Sequence, residues 1–276
     1  MRRCILYLII ICLFCLSDTL NGQESLDSTS ILLENLYGRL VNNYDDNSRI
    51  RINDSIKEVI DWYVRTDTVF NHKFDNLRYL GQIISPDSTM KIVTWNLVLG
   101  SAPGSYFCYF LEKGKDGEEN RIYSLSSAYK DTPLKTDTTY TNTDWYGALY
   151  YDLRPYLFNG KQLWILLGID YGNPLISRKI IDVLDLRDDG TVIFGKKSFV
   201  SGETISYRAV MEYASSASMS LRFNSEKLIV FDHLVPITPV QMNNRQLYGP
   251  DYSTDAYNFE NEKWILKINV DARNKE

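Results

Sequence analysis

Cysteine and histidine are scarce in this chain: four and two in 276 residues. Cys4, Cys12 and Cys15 all fall in the first fifteen positions, so the rest of the chain holds only Cys108 and cannot close an internal disulfide. The two histidines, His72 and His233, come without an H-E-x-x-H motif or a Cys/His cluster, and a zinc site needs three or four suitably spaced ligands. No metal and no cofactor is therefore expected. Clustered Lys/Arg is also missing, which argues against nucleic acid and against a polybasic membrane patch. Beyond residue 16 no apolar run reaches the roughly 20 residues of a membrane-spanning helix, so no span is expected in the mature chain.

What is present begins at the N-terminus. Arg2 and Arg3 precede an apolar run from Cys4 to Leu16, and a short polar stretch ends in Leu20-Asn21-Gly22-Gln23. This is the layout of a secretory signal peptide, with cleavage expected after Gly22. The competing reading, lipidation at Cys15, is disfavoured by bulky Phe14 just before it. Loss of Arg2, Arg3 and Asp18 moves the formal net charge from −5 to −6. The expected product is exported, mildly acidic, free of disulfides, and periplasmic or cell-surface associated.

The expected organisation is a signal peptide over 1–22, a helical segment over 23–70 packed on the body, and a β-rich domain over 71–276. Ser28-Thr29-Ser30 reads as a cap before Leu33, Leu36, Tyr37 and Leu40 at helical spacing. Residues 42–47 read as a loop. Ile52, Ile56, Val59, Ile60 and Tyr63 then form one apolar stripe. From Tyr79 onward about a dozen short β segments alternate with turn signals. Examples are Ser85-Pro86-Asp87-Ser88 and the Asp-Gly pairs before Arg121 and Thr191. The expected fold class is α+β, mostly β: an N-terminal helical cap followed by an antiparallel β-sandwich or barrel-like body. Lys130–Asp144 and Pro236–Phe259 read as loops, the second long enough to suggest a function.

Chemistry is thin. Ser88-Thr89-Met90-Lys91 matches S-x-x-K, but it sits in a turn leading into a strand and lacks K-T-G, so its context fails. Cys108, flanked by Tyr106-Phe107 and Tyr109-Phe110, reads as a buried apolar residue rather than a reactive thiol. Carboxylates at Asp185, Asp188 and Asp189 read as turn formers, not calcium ligands. Asp232-His233, at the end of a strand, is the weak catalytic candidate, because an imidazole at a pocket mouth suits acid/base work. Trp145, Tyr146, Asn173, Tyr248, Asp251 and Tyr252 are the weak ligand-binding candidates, on loop location and aromatic character.

Three segments carry a resemblance. Gly172-Asn173-Pro174-Leu175-Ile176-Ser177-Arg178-Lys179, Phe231-Asp232-His233-Leu234 and Tyr248-Gly249-Pro250-Asp251 make roughly residues 160–275 resemble a family of exported proteins of Bacteroidetes with no assigned activity. The resemblance implies export and a β-rich fold, and transfers no active site. The turn character of Asn173, His233 and Asp251 raises the expectation of one shared polar edge. The leading functional expectation is a non-enzymatic binding or accessory module whose partner is an envelope protein or glycan. The alternatives are a hydrolase-like enzyme using Asp232-His233, and a β-barrel around a small apolar ligand.

Overall fold

The structure, a computed structural model, describes residues 26–115, 117–238 and 244–271. The signal segment, Asp116 of the second hairpin turn and Pro239 of the late loop lie outside the described residues. The chain divides into two units, residues 1–79 and 80–276.

The first unit holds two helices, α1 over 26–41 and α2 over Asp46–Tyr63. Ser28–Ser30 lies inside α1 rather than capping it, since residues 26 and 27 are already helical. The cap signal works at α2. There Asp45 is extended, and its side chain accepts from the Ser48 N–H at 2.8 Å, satisfying a donor that the first helical turn leaves open. Leu33, Leu36, Tyr37 and Leu40 of α1 and Ile52, Ile56, Ile60 and Tyr63 of α2 are buried, as their spacing requires.

The second unit is mostly β, with sixteen strands and a short 3-10 helix, Arg245–Leu247, among the described residues. Strands β1 (Gly81–Ile84), β2 (Met90–Leu97), β3 (Ser105–Glu112) and β4 (Arg121–Ala128) form an antiparallel meander. A second sheet uses β5 (Tyr140–Thr141), β6 (Leu149–Phe158), β7 (Lys161–Asp170), β8 (Ile176–Leu186) and β9 (Val192–Phe194), in the order β5-β9-β8-β7-β6. The third draws on β10 (Phe199–Ser201), β11 (Thr204–Ser206), β13 (Leu221–Ser225), β14 (Leu228–Pro236), β15 (Tyr248–Glu260) and β16 (Lys263–Lys267), in the order β11-β10-β16-β15-β14-β13. β12 (Ala209–Ala214) pairs with β8 of the second sheet. All pairings are antiparallel except β10 with β16.

The sheets stack in three layers with the second in the middle. One core joins Ile92, Cys108, Phe110 and Leu125 of the first sheet to Tyr150, Trp164, Leu166 and Leu184 of the second. The other joins Leu163, Ile165, Ile181 and Val183 from the opposite face of the second sheet to Leu221, Ile229, Tyr257 and Trp264 of the third. β7 is therefore buried on both faces, and this explains its unbroken apolar run from Leu163 to Leu167. The chain is mostly β, following an N-terminal helical segment in sequence, as expected, but the β unit has two packed interfaces instead of one. The sheets do not close, and both interfaces are filled by side chains, so the described residues enclose no barrel cavity for an apolar ligand.

The late loop is the main correction. Residues 248–260, most of them within the stretch Pro236–Phe259 read as loop for Pro236, Pro239, Pro250 and its scattered polar residues, form β15, a thirteen-residue strand. Pro236 ends β14, and Pro250 sits beside a register break where a missing N–H is tolerated. Two hairpin turns were also missed. Asn159-Gly160 and Asn261-Glu262 both take positive φ at their two central positions, the type I′ geometry that matches strand twist.

Candidate functional site

The site is built on an irregularity in the β14–β15 ladder. Asp232 pairs with Thr254 and Leu234 with Pro250, so His233 alone opposes Asp251, Tyr252 and Ser253. An insertion of this kind bends the strand and re-aims side chains. In a regular strand successive residues point to opposite faces. Here Phe231, Asp232, His233 and Leu234 all border one cleft of about 350 Å³. Its other walls are Val210, Met211 and Glu212 of β12, residues Pro133, Leu134 and Thr136, and Arg245 and Asp255.

His233 is paired, though not with its sequence neighbour. Its Nδ1 lies 2.7 Å from Asp255 Oδ2, and the other Asp255 oxygen accepts from the Asn269 N–H at 3.1 Å. Asp255 is 6 % exposed, so the carboxylate is a fixed acceptor that orients a partly exposed imidazole. Asp232 is used otherwise: its Oδ2 accepts from the Ser220 N–H at 2.8 Å and ties β14 to the residue just before β13. Within the cleft, Glu212 is held by Arg178 Nε at 2.7 Å, and Arg245 lies 4.3 Å over the Tyr248 ring. No serine, threonine or cysteine among the described residues hydrogen-bonds His233. Asp251 is exposed, and a hydrogen bond from Ser253 Oγ, the largest cause, lowers its pKa, with the nearby His233 adding to the effect.

The remaining candidates scatter. Trp145 is buried, donating Nε1–H to Tyr150 Oη at 3.0 Å and stacking on Phe194, so it belongs to the core and not to an exposed contact surface. Tyr146 donates to Asp182 at 2.9 Å. Burial raises both the Tyr146 phenol and the Asp182 carboxyl above their usual values. Arg208 answers Asp182 with Nε at 2.8 Å, both side chains being fully buried. Tyr248 is also a core residue. Tyr252 is fully exposed at φ 71°, at the tip of the bulge.

Asn173 caps a turn, accepting from the N–H groups of Leu175 and Ile176 and donating to Asp131. It does not border the His233 cleft, so the expected shared edge reduces to His233 and Asp251. Cys108 is fully buried, and burial pushes its thiol pKa well up, as its aromatic flanks implied. Among the described residues no group of three or more His, Cys, Asp or Glu could hold a metal, and no helix is long and apolar enough to cross a membrane.

Sequence reasoning missed Asp255, Glu212, Met211 and Arg245. Asp255 had one available signal: a lone acid inside Thr254–Phe259, a stretch with strand-like composition. No family model, curated protein or solved structure matches the chain.

Proposed function

We propose that this chain is an exported binding module of the cell envelope that acts through the cleft beside His233. One observation carries the reading. The cleft's acids are already committed, Asp255 to His233 and Asn269, Asp232 to Ser220 and Glu212 to Arg178, and among the described residues no nucleophile meets the imidazole. That leaves a shaped wall of Leu134, Val210, Met211 and Leu234 with a few fixed polar groups, the usual make-up of a recognition site. Export rests on the N-terminal charge and apolar pattern.

A benzophenone-bearing residue in place of Met211, in the full chain expressed in an exporting bacterium, tests this. The expected result is one reproducible adduct in the envelope fraction, absent when the probe replaces exposed Glu203. A cytoplasmic chain, or equal labelling from both positions, would overturn it.

A second reading is favoured by the His233–Asp255 geometry itself, a buried carboxylate orienting an imidazole that could activate water. It predicts hydrolysis of an ester, amide or glycoside that His233→Ala abolishes without change in melting temperature.

A further inference from the structure

The wall of the cleft formed by β12 is a sheet edge, and its backbone is not used up. Ser215 continues the β12–β8 register opposite Leu175, and its N–H donates to Leu175 O at 3.0 Å. In an antiparallel ladder every second residue addresses the same neighbour, so Tyr213, Met211 and Ala209 also direct their backbone groups at β8. Ala214, Glu212 and Val210 direct theirs the other way. The Ala214 carbonyl accepts from the Ala217 N–H at 2.9 Å. The outward groups of Val210 and Glu212 have no hydrogen-bond partner among the described residues, and both residues border the cleft.

Two outward-facing residues, about 7 Å apart along the strand, present donor and acceptor pairs at the repeat of one partner strand. Another polypeptide backbone supplies that repeat. The side chains around the edge add a preference. Three carboxylates, Glu212, Asp232 and Asp255, border the cleft against Arg245; Arg178 is shared between Glu212 and Asp170, and Asp232 meets only a neutral backbone N–H, so the local balance stays negative with these bonds in place. The apolar wall of Leu134, Met211 and Leu234 would receive the side chains that alternate with the charge.

We infer that the cleft takes an extended peptide carrying a basic side chain, added as a strand to the outer edge of β12. This rests on the binding-module reading and names its ligand class. Main-chain pairing supplies the affinity in this mode, and pockets for alternate side chains supply the selectivity.

The test uses the full chain and a set of acetylated hexapeptides of alternating Thr and Val, each with Lys at one position, read by fluorescence polarisation. Binding by one Lys register is expected, falling at least ten-fold when Glu replaces that Lys. N-methylation along the peptide edge that faces β12 should abolish binding, and methylation along the opposite edge should not. Val210→Pro removes the outward N–H while sparing the ladder to β8, and should lose binding with an unchanged circular dichroism spectrum. If that variant misfolds, the two methylated peptides still decide the matter on the unaltered protein.

Equal binding of both methylated forms would overturn strand addition, as would no binding of any Lys peptide at 1 mM. A dimer that Val210→Pro dissolves would assign the edge to a second copy instead. Each of these leaves the Met211 crosslink, and with it the binding-module reading, to stand or fall separately.

Discussion

His233 Nδ1 and Asp255 Oδ2 lie 2.7 Å apart across two neighbouring strands, in a place where one residue of β14 faces three of β15. The pair owes its existence to that extra length. Asp255 is the register partner of Phe231, and the bulge brings His233 back over it. The Asn269 N–H closes the other carboxylate oxygen and ties the segment after β16 to the same point.

Asp255→Ala should therefore leave two donors, the Asn269 N–H and the imidazole, without their acceptor. A loss of about 1–3 kcal/mol is expected, with Asp255→Asn retaining part of it. Urea unfolding monitored by tryptophan fluorescence measures both. Equal stability of the alanine variant would remove the orienting role given to this carboxylate.

Arg208 and Asp182 make a stronger case. Both side chains are fully buried, and Arg208 also donates to the carbonyls of Lys135, Thr138 and Phe194, which pins residues 135–138 to the central sheet. Arg208→Met should strand the Asp182 charge and cost about 3–5 kcal/mol. The double variant Arg208→Met with Asp182→Leu should recover much of that. A double variant no better than the single would show that the carbonyl bonds, not the charge, are what Arg208 supplies.

Trp264 is fully buried on the third sheet, and its indole N–H has no hydrogen-bond partner among the described residues. Trp264→Ala should cost about 3–5 kcal/mol through the cavity it opens. Trp264→Phe should cost much less, because it also removes an unsatisfied donor. Thermal melts of the two variants separate packing from polarity at this position.

The β1–β2 turn should respond to acid. Burial alone would raise the Asp87 pKa, but hydrogen bonds from Ser85 Oγ and the Thr89 N–H outweigh it and hold it below the usual carboxylate value. A depressed folded pKa contributes stability above the unfolded value, near 4, and that contribution is lost as pH falls through the folded value. Asp87→Asn should flatten stability between pH 5 and 2. A carboxyl carbon that titrates at the unfolded value by NMR would count against the turn geometry.

Legibility in the sequence followed how local each cause is. β2 was readable residue for residue, because Ser85-Pro86-Asp87-Ser88 punctuates it and its apolar content carries it. The stripe of α2 was equally plain, with Ile52, Ile56, Ile60 and Tyr63 buried. β15 was hidden because three prolines, Pro236, Pro239 and Pro250, look like loop, and only pairing with β14 and β16 shows how the strand accommodates Pro250. Trp145 looked exposed because polar Thr and Asp residues precede it, yet Tyr150 offers its N–H a buried acceptor.

At the site, His233 was visible as a strand-end imidazole, and its neighbour Asp232 was the natural partner on sequence distance. The partner is Asp255, twenty-two residues away. Glu212 and Met211 reach the cleft because β12 leaves the third sheet's part of the chain to pair with β8 of the second.

Local chemistry, then, was enough to determine the two helices, the strand-rich body and the buried thiol of Cys108. Spacing, turn residues and composition act within a few residues and need no knowledge of the rest. The stacking of three sheets, the pairing of His233 with Asp255 and the unpaired edge of β12 were decided only in the folded chain. Each depends on which strands lie side by side, and burial and hydrogen bonding settle that across distances no local pattern encodes.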